Sequence, residues 1–169
     1  MARGAKPIHA GVTTGTYQSI AGIAVAFAGF TGIVLALRTA RSARATAVAR
    51  SRLLDLLLAS LGAVFFAYLP ETVAGFVNES TALRGCALAF AIYHAAEVLV
   101  AARAGGRLVF TRSDWILVPF GAVVMIAQFV TALGAFSAFL SAVYLAALLW
   151  FLFVAAYQFA QLLLEYDRE

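Results

Sequence analysis

Leu83–Ala102, LRGCALAFAIYHAAEVLVAA, decides how the whole chain is read. Twenty residues at about 1.5 Å each span roughly 30 Å, the thickness of a bilayer's hydrocarbon core. Tyr93, His94 and Glu97 sit in the middle of this apolar stretch. At about 100° per residue, Phe90, Tyr93, His94, Glu97 and Ala101 share one arc of a helix. An ionised carboxylate facing lipid there would cost several kcal/mol, so the arc is expected to face protein, water or a partner subunit. Two readings follow. Tyr93, His94 and Glu97 either handle protons or ions, or clamp neighbouring helices through hydrogen bonds.

The rest of the composition agrees with a membrane protein. Of 169 residues, 64% are hydrophobic and 12% charged, and the mean hydropathy is +0.95. A soluble domain carries about 25% charged residues. Eleven Arg and one Lys face eight acids, an excess that reads as a topology signal and not as a nucleic-acid footprint. Cys86 is alone, so no intrachain disulfide and no cysteine-based metal motif is expected. The Ala- and Arg-rich, Lys-poor usage points to a GC-rich bacterial genome.

The fold class expected is all-α, a polytopic transmembrane bundle of five spans, or four, in a single domain over residues 1–169. After a polar lead holding His9, the spans fall at about 16–37, 53–76, 83–102, 115–133 and 138–163. Retention of the first span is expected, because five arginines follow it where a signal cleavage region would be small and polar. Ala24, Ala28 and Gly32, widened by Gly22 and Gly29, give it a small-residue face suited to close packing within the chain. Pro70 should kink or end the second helix. Gly105 and Gly106 should stop the third, Ser113 or Asp114 should cap the fourth, and Trp115 should anchor it at the interface. No charge appears between Trp115 and Leu164, and one helix of that length would be far longer than a bilayer, so a break is placed at Gly134–Ser137.

Basic linkers at 38–52 and 103–114 set the orientation. With Arg168 they carry nine of the twelve basic residues, leaving Arg3, Lys6 and Arg84 on the other side. The positive-inside rule then puts the N-terminus outside and the C-terminus in the cytoplasm of a bacterial inner membrane. Arg38, Arg41, Arg44, Arg50 and Arg52 are candidates for anionic lipid head groups, making membrane lipids the first expected partner. In this orientation Asp55, Glu97, Tyr157, Gln158 and Gln161 share the cytoplasmic half, His94 lies near the centre, and Gln128 lies toward the outside.

Candidate pathway residues are therefore Glu97, His94, Tyr93, Gln128, Gln158, Gln161 and Asp55. No catalytic set is assigned. Di-iron bundles need two Glu-x-x-His motifs, and this chain has one intramembrane histidine, in the reverse order His94-x-x-Glu97. A bis-histidine haem lacks its second ligand, and no phosphate-loop, dinucleotide or hydrolase motif occurs. Enzyme activity, metals and cofactors are accordingly not expected. Five spans leave no room for two equal inverted repeats, and the basic bias argues for parallel subunits. The leading expectation is a homo-oligomeric ion or proton pathway. The alternative is a non-catalytic accessory or scaffold subunit of a larger membrane complex.

Overall fold

A computed structural model describes residues 14–41, 47–104 and 114–166. They form α1 (Thr14–Arg41), α2 (Ala47–Ala74), α3 (Glu79–Ala104), α4 (Asp114–Ala132) and α5 (Leu140–Tyr166), with one 3₁₀ turn at Ser137–Phe139. Each expected span is a helix. Gly15–Ile33, Arg52–Ala74, Glu79–Val100 and Ser137–Leu164 are long and apolar enough to cross a membrane. The apolar stretch of α4, Leu117–Ala132, is shorter, about 24 Å at 1.5 Å per residue.

The helix ends follow local chemistry. Pro70 does not end α2, which continues to Ala74. The side chain of Asn78 caps α3, its Oδ1 accepting the Thr81 N–H at 2.8 Å. The expected break after α4 is a Schellman turn. Gly134 takes φ 101°, its N–H donates to Thr131 O at 3.0 Å, and the Ala135 N–H donates to Val130 O at 3.2 Å. The basic linker expected at 38–52 is largely taken up by the end of α1 and the start of α2. His9, Arg3, Lys6, Arg44, Gly105, Gly106, Arg107, Arg112, Ser113 and Arg168 lie outside the described residues, as do the side chains of Arg38, Arg41, Arg50, Arg103 and Trp115.

Cross-helix contacts fix the directions. Tyr17 meets Tyr144 and Phe27 meets Phe159, so α1 and α5 run parallel. Phe66 meets Phe90 while Tyr93 reaches back to Leu58, so α2 and α3 are antiparallel. Phe120 stacks on Trp150 while Gln128 reaches Val143, so α4 opposes α5. The helices alternate up and down. One end of the bundle holds Arg52, Asp55 and Gln161, here called the arginine end; the other holds Asn78 and Gly134. Helices α2 and α5 form the central pair, with α1 on one side and α3 and α4 on the other.

The packing seam is legible in the burial. On α5, Tyr144, Leu148, Phe151, Ala155, Gln158 and Leu162 are buried at alternating steps of four and three. That is the seam of left-handed helix bundles. Outside, the bundle is apolar: Ile23, Phe30, Phe65, Phe120, Val123, Ile126 and Phe153 are each more than half exposed. A water-soluble monomer rarely shows so much apolar surface, whereas lipid solvates it. Polar groups inside and an apolar coat are compatible with a membrane-embedded bundle.

One packing expectation is corrected. Ala24 is fully buried, but Gly22, Gly29 and Gly32 are exposed, and a Cβ on any of the three would meet nothing within 4 Å. The buried arc of α1 is Ile20, Ala21, Ala24 and Thr31, and Gly22 and Gly29 lie on the far side of a 100° wheel. The glycine face therefore points away from the chain's own bundle.

Candidate functional site: a polar row inside the bundle

Helix α3 presents its polar arc inward. Phe90 and His94 are buried, Tyr93 and Glu97 are half-buried, and the apolar Ile92, Val98 and Leu99 face outward. The sequence periodicity that put Tyr93, His94 and Glu97 on one face thus aims that face at protein.

Tyr93 is held from α2. Its hydroxyl donates to Leu58 O at 2.7 Å, and its ring lies over Gly62, where a Cβ would come 2.7 Å from Cε1. Only glycine leaves that notch open. His94 turns toward α4 and α5. Its ring meets Phe151 edge-on at 5.2 Å, and a Cβ at Gly121 would lie 3.4 Å from Nε2. Glu97, one turn further on, stands at the level of Asp55, which lies one turn from Leu58 toward the same end of the antiparallel α2. Nearer the arginine end, Arg52 Nη1 donates to Gln161 Oε1 at 3.2 Å. Gln158 is buried on the α5 seam, and its Oε1 has no hydrogen-bond partner among the described residues. The Tyr157 hydroxyl is likewise without one.

Toward the Asn78 end this row meets an aromatic cluster. Phe90 packs at 4.5 Å from Phe66, 4.6 Å from Phe151 and 6.0 Å from Tyr144. These rings close the space between α2, α3 and α5.

Six of the seven candidate pathway residues therefore lie from the level of Tyr93 to the arginine end: Tyr93, His94, Glu97, Asp55, Gln158 and Gln161. Gln128 lies apart, on α4 near the Asn78 end, its Nε2 donating to Val143 O at 3.0 Å. Arg52 stands differently from its expected place among lipid head groups, because it is buried and reaches Gln161 inside the bundle. Its i,i+4 relation to the fully buried Leu56 carries it onto the inward face of α2.

Sequence reasoning missed Tyr144, Thr131 and the inward role of Arg84. Tyr144 is fully buried and donates to Phe66 O at 2.7 Å. A signal for it existed, since Pro70 deprives that carbonyl of its helical donor, but the sequence does not say which helix supplies the replacement. Among the described residues, no three His, Cys, Asp or Glu side chains gather to hold a metal ion. Compared with protein-family models, with curated proteins and with solved structures, the chain matches none.

Proposed function

We propose that the protein moves protons through a membrane along protonatable side chains inside its own bundle. The carrying observation is the pair of acids, Asp55 on α2 and Glu97 on α3, each one turn beyond the Leu58–Tyr93 bond toward the arginine end of an apolar-coated bundle. Ionisable groups at such depth are costly, and proton or ion handling is the common reason for keeping them. Close packing favours the proton over a hydrated ion. Tyr93 fills the Gly62 notch and His94 closes on Gly121, so at this level side-chain relay is favoured over passage of a hydrated ion. In this reading Arg52 and Gln161 form the entrance, Asp55 and Glu97 take up the proton, and His94 passes it on.

The orientation proposed is N-terminus outside and C-terminus in the cytoplasm of a bacterial inner membrane, with the arginine end inside and its basic residues near anionic lipid. Parallel copies in a homo-oligomer would multiply this path without forming it, because the candidate residues point into one chain. The test is proton uptake in liposomes with an internal pH-sensitive dye. Wild type should collapse an imposed gradient, while Glu97→Gln and Asp55→Asn should lose most of that activity yet elute as wild type on size exclusion. Full activity in E97Q, or none in wild type, sinks the reading.

The second reading, an accessory or scaffold subunit, is favoured by the outward glycines of α1. Gly22, Gly29 and Gly32 offer a face on which another transmembrane helix could approach closely. Purification from native membranes should then yield a stoichiometric partner that Gly29→Leu releases. Retention of the partner by G29L would count against this face.

A further inference from the structure

Three hydroxyls on the described helices make the ordinary bond to the carbonyl four residues back. Ser19 bonds Gly15 O at 2.8 Å, Thr31 bonds Phe27 O at 2.7 Å and Thr72 bonds Tyr68 O at 3.1 Å. Thr131 does not. It is fully buried on α4, and its Oγ1 has no hydrogen-bond partner among the described residues. One turn earlier on the same face, Gln128 is 1% exposed. Its Nε2 is committed to Val143 O, which fixes the amide and leaves Oε1 as an acceptor with no partner among the described residues. In the turn that follows α4, Arg84 of α3 lies against Gly134, where a Cβ would come 3.4 Å from Nη1. Arg84 Nε is buried and, among the described residues, also has no hydrogen-bond partner. A pure acceptor and a hydroxyl one turn apart on α4, followed by a cationic donor at the turn that ends the helix, thus stand in succession toward the Asn78 end.

Chemistry narrows what fits them. An anion suits Arg84 and Thr131 but meets the lone pairs of Gln128 Oε1. A metal cation suits Gln128 and Thr131 but is repelled by the guanidinium. Water donates and accepts, and alone satisfies all three. We propose that Gln128, Thr131 and Arg84 hold a file of ordered water between α3, α4 and α5, reached from the Asn78 end. Gln128 shares its α4 face with Gly121, seven residues earlier and beside His94. The file therefore approaches His94 from the side opposite Glu97 and passes around the aromatic cluster. As the second half of a proton route it rests on the function proposed above; as a hydrated row it does not.

Two measurements test it. A buried hydroxyl with no partner at all is destabilising, so replacing it with a methyl group stabilises, whereas removing a water's partner destabilises. Thr131→Val should lower the unfolding temperature, and a rise would overturn the water file. Thr131→Cys in reconstituted protein should react with a small water-soluble methanethiosulfonate faster than the parent chain, whose single thiol is Cys86. A rate no faster than the parent overturns the proposal. The outcomes separate from the function itself. Labelling at T131C without proton flux in wild type supports the water file and removes the proton reading. Flux without labelling does the reverse.

Discussion

The hydroxyl of Tyr144, near the start of α5, donates to the carbonyl of Phe66 in α2 at 2.7 Å, with Tyr144 fully buried. Four residues beyond Phe66 stands Pro70, which has no N–H to give. In water the orphaned carbonyl would be solvated; inside an apolar bundle it needs a protein donor. Tyr144 supplies one, and in doing so ties the two central helices together. A residue that weakens α2 by itself thereby becomes the reason for a bond between α2 and α5.

Tyr144→Phe should therefore destabilise the bundle by about 1–2 kcal/mol, the range for a buried interhelical hydrogen bond. Pro70→Ala restores the helical donor to Phe66 O. The double variant should lose less from Y144F than the parent does. Thermal unfolding in detergent reads both, and equal losses in the two backgrounds would separate Pro70 from the role of Tyr144.

Much of this architecture is written in local sequence. Apolar length sets five helices, Gly134 marks the break within the uncharged C-terminal stretch, and the spacing of Phe90, Tyr93, His94 and Glu97 predicts a shared face. Charge bias and alternation put Asp55, Glu97 and Gln161 at one end before any contact is known. What the sequence withholds is which face meets which helix. On α1 the glycines look like the packing side, yet Ile20, Ala24 and Thr31 are the side that packs. Apolar side chains on both faces make the wheel nearly uniform, and in lipid no hydrophobic contrast chooses between them. Arg52 and Thr131 were obscured for the same reason: their inward orientation is a property of helix rotation, set by tertiary contacts.

Gly62→Ala tests the notch under Tyr93. The new Cβ would sit 2.7 Å from Cε1, with the ring already backed by Phe66 at 5.4 Å and Phe151 at 6.0 Å between centroids. The ring must shift and release Leu58 O, so overpacking adds to the lost bond, and the cost should reach about 1–3 kcal/mol. Tyr93→Phe, which loses only the bond, should cost less. Unfolding temperatures that rank the two the other way would remove the notch argument.

Two glycine substitutions should have opposite signs. Gly134 takes φ 101° in the Schellman turn beside Arg84, so Gly134→Ala is strained whatever space surrounds it. A loss of about 1–2 kcal/mol is expected, in line with the penalty for an L-residue at positive φ. Gly29→Ala lies in a regular helix with nothing within 4 Å, and should stabilise the isolated chain by about 0.5–1 kcal/mol through helix propensity. Circular-dichroism melts of both variants settle the pair.

Gly121 offers the sharpest separation of stability from transport. A Cβ there would lie 3.4 Å from His94 Nε2, 3.5 Å from Cε1 and 3.7 Å from Trp150, which is close contact with side-chain atoms and no backbone clash. Gly121→Ala should therefore fold, with helix propensity favouring it by about 0.5–1 kcal/mol. The same methyl group confines the imidazole on the side where it would exchange a proton with the Gln128 face of α4. If His94 relays protons, G121A should slow uptake in liposomes while its unfolding temperature holds or rises. A merely structural histidine predicts the opposite pattern: unchanged uptake, with any effect confined to stability.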